Sequence, residues 1–567
     1  MIEELRRQLR QICLDQLSLA AEDVPAFGVE HPARPEHGDL ATNLAMALAR
    51  PMRRAPRELA ARIQAEVLKL PGVERCEVAG PGFINVFYGA DHWRQVLPRI
   101  LEEGPDFGRT RPKVAERVQI EFVSANPTGP LHFGHGRGAA VGDVLARLLQ
   151  FAGHTVEREF YVNDAGAQVR NLALSVVARL RELRGLPAQF PADGYRGDYV
   201  VDLARRLPPE LCRFLPGEPD EAALQAIMDF GVEQNLADIR QVLDAFGVRM
   251  ERYASEREVF RSGRLQQVFA ELAGQGAIED REGARWFAAE RFGDEKPRVL
   301  VKSDGSHTYF ATDLAYHLDK LRRGFERLIN VWGADHHGYV PRMKAGLKAL
   351  GHPPDKLEVV LVQMVSLVRG GEPVVMSKRA GEIITLREVI EEVGSDAARF
   401  FFLLRSPDGQ MEFDLELAKK RSLDNPVFYV QYGHARLCSI LARAAERGLP
   451  VPLPSQVRSA NLARLEHPLE IDLLKTMARF PEAVAAAVES RAPQLLVAYL
   501  MDLAGRFHHY YTVTARESPI LAGDPERLCT RLLWVQALRQ VMRNALGLLG
   551  VSAPERMDQL PGEEAAG

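Results

Sequence analysis

The stretch NPTGPLHFGHGRGAAVGD, residues 126–143, constrains this chain more than any other. It follows the unbroken apolar run VQIEFVSA and precedes the periodic segment VLARLLQFAG, so a buried strand passes into a helix through a glycine-rich turn. A second strand pattern, HTVEREFYVND, comes directly after that helix. The alternation specifies a βαβ unit and hence a parallel sheet. Glycine at such a turn lets backbone approach a ligand, and the first turn of a helix offers unpaired N–H groups to an anion such as phosphate. Gly134, Gly136 and Gly138 suit that role. His132 and His135, three residues apart across the helix start, can aim two imidazole donors at one point, where they would stabilise charge growing on a phosphate. The competing reading is that both rings satisfy backbone groups at a turn. A zinc site is disfavoured because no third ligand is nearby.

A second motif is RGGEPVVMSKRAGEIITL, residues 369–386. Here a glycine turn and short strand lead to a cationic loop, Ser377, Lys378 and Arg379, closed by Gly381; such a loop could fold over a triphosphate and neutralise it. Alone, SKR is equally a solvated surface run. Between the motifs, short apolar strands return in RVLVKS, RLINVWGAD and LEVVLVQMVSLV, so the parallel sheet is expected to resume. Asp335, in VWGADHHG, falls at a strand end, where doubly wound sheets bind nucleotides. It is a candidate ribose or amino-group contact, or a loop Asp capping a turn.

With 567 residues the chain is too long for one core. Residues 1–110 read as a small α+β domain, 111–394 as a doubly wound α/β domain with a mostly helical insertion at about 170–290, and 395–567 as a helix bundle. Net charge is -4, and no apolar run approaches the roughly 18 residues of a membrane helix, so a cytoplasmic protein is expected. Five scattered cysteines with no CxxC pair point to reduced thiols and no structural metal. From Asn425 to Gly550 there are 14 basic against 10 acidic residues, a local excess of positive charge in an acidic chain. That region interleaves aromatics with arginine: Tyr429, Tyr432 and Arg436, then Phe507, His508, Tyr510 and Tyr511. Exposed rings would stack on unpaired bases, while helical spacing assigns about half of them to the bundle core.

At this point the chain resembles class I aminoacyl-tRNA synthetases, whose ATP sites are built from a HIGH motif and a KMSKS loop, here His132-Phe133-Gly134-His135 and Val375-Met376-Ser377-Lys378-Arg379. Further segments narrow the resemblance to the arginyl-tRNA synthetase family: VSANPTGPLHFGHGRGA, YVNDAGAQ, SDGSHTYFATDLAYH, GADHHGY, MSKRAGE, SDAARFFFL and NPVFYVQYGHAR, with HGDLATN, GPGFIN and LGLLGVSAPERM nearer the termini. The resemblance implies a class I Rossmann-type catalytic domain, an N-terminal domain that binds the outer corner of tRNA, and a C-terminal anticodon-binding bundle. It implies ATP-dependent activation of L-arginine and transfer to the 3'-terminal ribose of arginine tRNA, with Mg2+ accompanying ATP. Neither DNA nor membrane is implied, and a monomer is expected.

By the same resemblance His132, His135 and Lys378 are catalytic, and Gly134, Gly136, Asp335, Met376 and Ser377 contact ATP. Ser124, Asn126, Glu256, Tyr309, Asp313 and His337 would hold arginine; Phe83, Asn85, Tyr429, Tyr432 and Arg436 would meet tRNA. Carboxylates at Glu256 and Asp313 suit a guanidinium, whose planar fork of five donors asks for acceptors at fixed angles. The first KMSKS lysine is Val375 here while the second, Lys378, is kept; the compensating lysine that some family members carry shortly before HIGH is Gly129. A cysteinyl synthetase would need zinc-binding cysteines that this chain lacks, and a non-catalytic paralogue would be expected to have lost its ATP residues.

Overall fold

A computed structural model of the chain describes residues 1–110, 112, 114–374 and 384–557. The N-terminal part is α+β. Helix Ile2–Gln16 buries Leu5, Leu9, Ile12 and Cys13, the one-sided spacing of an amphipathic helix. It packs on an antiparallel sheet of β1 (Val29–Glu30), β2 (Leu40–Thr42), β3 (Val73–Ala79) and β4 (Phe83–Tyr88), in the order β1-β2-β4-β3. The β3–β4 turn needs Gly82, whose φ of 138° is open to glycine and closed to most side chains.

The central sheet has five parallel strands, β5 (Arg117–Glu121), β6 (Thr155–Val162), β7 (Arg252–Ser255), β11 (Arg327–Gly333) and β12 (Leu357–Val362), in the order β12-β11-β5-β6-β7. The order reverses between β5 and β11, so the crevice beyond their carboxyl ends is the switch point at which doubly wound sheets bind ligands. Helix Phe133–Phe151 follows β5 and packs close because its sheet-facing residues are small; a Cβ on Gly142 would enter the Phe122 ring.

Several expectations are corrected. β7 lies inside the stretch read as a helical insertion; four residues give no periodicity against the helix Glu221–Ala245 before it. RVLVKS does not rejoin the parallel sheet: β10 (Arg298–Val301) pairs antiparallel with β9 (Ala284–Phe287), and β9 with β8 (Ile278–Arg281). LEVVLVQMVSLV breaks after β12, and β13 (Val365–Arg369) joins a separate sheet with β14 (Glu372–Pro373) and β15 (Met411–Asp414). The strand β15 interrupts the helical C-terminal region.

Beyond β15 the chain is a helix bundle whose long helices are Pro426–Glu446, Gln494–Glu517 and Pro525–Leu548. The N-terminal domain docks on it. The Glu482 carboxyl meets His31 Nε2 at 2.7 Å, the Ile2 amide at 3.0 Å and the terminal ammonium at 3.0 Å. Burial pushes Glu482 up, but these partners outweigh it and hold the carboxyl at about 2. Lys475 adds a 2.7 Å ion pair to Asp39. Among the described residues, no helix is long and apolar enough to cross a membrane.

Candidate active site

Strand β5 ends in a backbone that few sequences tolerate. Val123 and Ser124 both carry positive φ, 69° and 38°, which costs on the order of 1–3 kcal/mol per residue and persists where surrounding contacts enforce it. Ser124 is held on both sides: its Oγ donates to Glu121 Oε1 at 3.0 Å and accepts from the Tyr161 amide at 3.0 Å. Asn126 comes two residues later, bonded to Gln168 (2.7 Å) and Asn163 (2.6 Å). The loop between is fastened from the inserted helices, by Tyr199 to the Thr128 carbonyl (2.9 Å) and Asn235 to the Pro127 carbonyl (2.9 Å). Gly129 lies under Tyr199, and even a Cβ there would come within 3.0 Å of that ring. A lysine at 129 would displace Tyr199.

His132 caps helix Phe133–Phe151, and its amide donates to His135 Nδ1 at 3.2 Å. The two imidazoles stack with centroids 3.6 Å apart. Gly134 keeps this arrangement open, since a Cβ there would lie 3.1 Å from the His132 ring. Gly136 is different: its Cβ would meet Phe402 at 2.7 Å and Leu386 at 2.8 Å, so that glycine serves packing between helices. Among the described residues nothing lies within 4 Å of a Cβ at Gly138. Met376, Ser377 and Lys378 lie outside the described residues. Residues 384–386 are fixed against the histidine turn: Phe133 N donates to the Ile384 carbonyl (2.9 Å), Leu386 N donates to the Leu131 carbonyl (2.8 Å), and His132 bridges Thr385.

Two carboxylates from different elements act on one another. Glu256 opens helix Glu256–Arg261, capped by Ser255, whose Oγ donates to Asp164 at 2.5 Å. Asp313 sits one turn into helix Tyr309–Arg322, and its Oδ2 accepts from the Tyr339 hydroxyl at 2.5 Å. Glu256 is 5% exposed and neither acid forms an ion pair among the described residues. Burial, then the charges of Asp313 and Asp164, push Glu256 up to about 7. Asp313 is likewise raised to about 7 by burial, against the opposing Tyr339 hydrogen bond. Two acids held this far above their ordinary range await a cation.

Tyr309, at the N-terminus of the Asp313 helix, is 74% exposed. Asp335 and His337 are exposed beyond β11, at the switch point; Asp335 stands 3.7 Å from His336, and the His337 Nδ1 lies 3.2 Å from the Ala334 carbonyl. Sequence reasoning did not single out Tyr161, Asp164, Glu121, Lys320 or Tyr339. The first two lie in the quoted segment YVNDAGAQ.

The comparisons with known proteins fall on the same segments. A model described as the class I (R) tRNA synthetase catalytic domain matches residues 97–183 and 219–402, the arginyl tRNA synthetase N-terminal domain matches 2–88, and the DALR anticodon binding domain matches 430–557. The arginine–tRNA ligase of Syntrophotalea carbinolica is 48% identical over 548 residues, covering 96% of this chain and 98% of that relative. That of Desulfovibrio desulfuricans is 49% identical over 562 residues, covering 98% and 100%. The chain belongs to the arginyl-tRNA synthetase family. The solved arginyl-tRNA synthetase of Thermus thermophilus superposes with a TM-score of 0.74 at 25% identity, over 98% of this chain and 100% of that one.

Seen as a member of this family, the chain turns fewer aromatics outward than its sequence suggested. Tyr432 is buried, and Arg436 lies over it at 4.7 Å and over Tyr511 at 4.5 Å. Tyr429 packs on His508 with centroids 4.6 Å apart. Phe507 and Tyr510 are fully enclosed. Tyr429, Tyr432 and Arg436 thus join helix Pro426–Glu446 to His508 and Tyr511 of helix Gln494–Glu517, while Tyr510 turns to Trp534 and Glu470. In the N-terminal domain Phe83 is exposed, whereas Asn85 is 5% exposed within β4.

Proposed function

We propose that this chain, an arginine–tRNA ligase by family, activates arginine at the β5–β11 crevice and passes it to arginine tRNA. Glu256 and Asp313 grip the guanidinium; Ser124 and Asn126 orient the α-amino acid end, while Tyr309 and His337 close over it from the exposed rim. Arginine's carboxylate oxygen attacks the α-phosphate of Mg-ATP, a P–O bond forms, and the bond to the β-phosphate breaks as pyrophosphate leaves. The N–H groups of His132 and His135 offset the charge that gathers on the α-phosphate, and Lys378 serves the departing pyrophosphate. The terminal ribose hydroxyl of tRNA then attacks the adenylate carbonyl and AMP leaves. No protein nucleophile is required; positioning and electrostatics suffice.

Gly134 leaves room for the nucleotide, and Asp335 is suited to a ribose or amino-group contact. Mg2+ arrives with ATP. Phe83 with Asn85, and the rim of the Tyr429, Tyr432 and Arg436 cluster, are proposed to face tRNA. The enzyme is proposed to act as a cytoplasmic monomer.

The observation that carries this reading is the buried acid pair, Glu256 and Asp313, without an ion pair among the described residues, in a fold whose first β–α turn after β5 opens a helix able to take phosphate. Arginine-dependent ATP–pyrophosphate exchange, run with and without arginine tRNA, tests it. Exchange in at least one condition is expected; none in either would overturn it.

A further inference from the structure

Tyr161 is the penultimate residue of β6 and 6% exposed. Its amide is fixed by Ser124 Oγ, its ring rests on Tyr316 with centroids 4.4 Å apart, and its Cα pairs with Ala254, two residues before Glu256. It is thus pinned between the three elements that carry Ser124, Asp313 and Glu256. Yet its hydroxyl is enclosed and has no hydrogen-bond partner among the described residues. Other tyrosines here do not share that state: Tyr316 donates to Glu159 (2.6 Å), Tyr339 to Asp313 (2.5 Å) and Tyr510 to Glu470 (3.0 Å). A buried polar group left unsatisfied costs stability, and such groups persist where something other than stability selects them.

Burial, followed by the charges of Glu256 and Asp313, drives the Tyr161 hydroxyl far above its ordinary range, so it stays protonated and neutral. Glu256 and Asp313 are the charges that act on it most strongly. A guanidinium carries five N–H donors, and two carboxylates binding side-on take four. One donor remains.

We propose that Tyr161 is a further specificity residue for arginine, its hydroxyl oxygen accepting a guanidinium N–H that neither carboxylate takes. This rests on the reading that those two acids hold the guanidinium. The orphan hydroxyl is then the vacant seat of a hydrogen bond completed by substrate. A neutral acceptor at this point also adds no third negative charge to a pocket already strained by two.

The test is Tyr161→Phe, which keeps the ring and removes only the oxygen. In steady-state charging of arginine tRNA, KM for arginine is expected to rise about tenfold, the effect of losing one hydrogen bond to a charged group, with KM for ATP within twofold of the parent. Thermal melting without ligand is expected to be unchanged or higher, because an unsatisfied group has gone. A rise in arginine KM below threefold, an equal rise for ATP, or a lowered melting temperature would each overturn the proposal, the last by making the hydroxyl structural. Failure of the unsubstituted enzyme to charge with arginine would instead refute the parent reading. Glu256→Gln, measured alongside, separates the two: an arginine defect there with none in Tyr161→Phe removes Tyr161 alone.

Discussion

Lys320 donates to Glu121 across 2.5 Å with its own side chain wholly enclosed. The other Glu121 oxygen holds Ser124, so one ion pair ties the strained end of β5 to the helix that carries Asp313. Lys320 also reaches Asn330 Oδ1 at 3.4 Å, and Asn330 Nδ2 meets His317 Nε2 at 2.8 Å. Burial and the neighbouring Lys320 charge push His317 down to about 3, so the ring is neutral at physiological pH and passes the network on to the Asp313 carbonyl.

Removing one member of this pair should be worse than removing both. Lys320→Met leaves a carboxylate buried and unpaired and is expected to cost about 3–5 kcal/mol, read by urea denaturation. Combining it with Glu121→Gln should recover part of that loss. A single substitution as mild as the double one would show that the pair is solvated.

His132→Asn and His135→Asn are each expected to lower kcat for pyrophosphate exchange by ~10²–10³-fold, the scale for removing one donor at developing charge. The melting temperature should fall by only a few degrees, since the rings also cap the helix. Equal losses of activity and fold would assign them to the turn alone.

Glu256→Gln should move stability and activity in opposite directions. An acid raised in the folded state stabilises it below the unfolded value, near 4.5, and loses that advantage as pH rises through about 7. The ligand-free parent therefore gives up on the order of 3 kcal/mol across this window, and the glutamine variant does not. Melting curves from pH 5 to 8 should diverge in favour of the variant, while its kcat/KM for arginine falls on the order of 10⁴-fold.

Glu482 works with the reverse sign. Its carboxyl is held at about 2, below the ordinary 4.5, so its contribution is fully present above 4.5 and disappears as pH falls through 2. Glu482→Gln is expected to loosen the N-terminal domain at pH 7 by ~3 kcal/mol, seen as faster limited proteolysis between the N-terminal domain and the sheet. Unchanged cleavage would place the docking energy elsewhere.

Much of this was legible because the decisive signals are local. The glycine-rich turn after VQIEFVSA declared its strand-to-helix passage, and the histidine pair fell at the helix start as the spacing required. What escaped notice depends on neighbours far apart in sequence. Glu256, alone in YASEREV, looks like any helix charge and was reached only through the family resemblance; the fold brings it under the influence of Asp313 and next to the strand of Tyr161. The strand β7 is too short to show a period, and RVLVKS has the apolar character of a parallel strand although it pairs at an edge. Tyr432 was expected to meet tRNA, yet it is buried, because composition does not say which helix face meets another helix.

The most direct measurement is the proton count when arginine binds. Both acids stand near 7 in the free protein, so a guanidinium arriving at pH 6.5 must drive protons off. Titration calorimetry in buffers of differing ionisation enthalpy should register roughly one proton released per arginine, with release lost in the Glu256→Gln, Asp313→Asn double variant. Arginine binding that releases no proton, or release that survives the double substitution, would contradict the assignment of this pair as the guanidinium site.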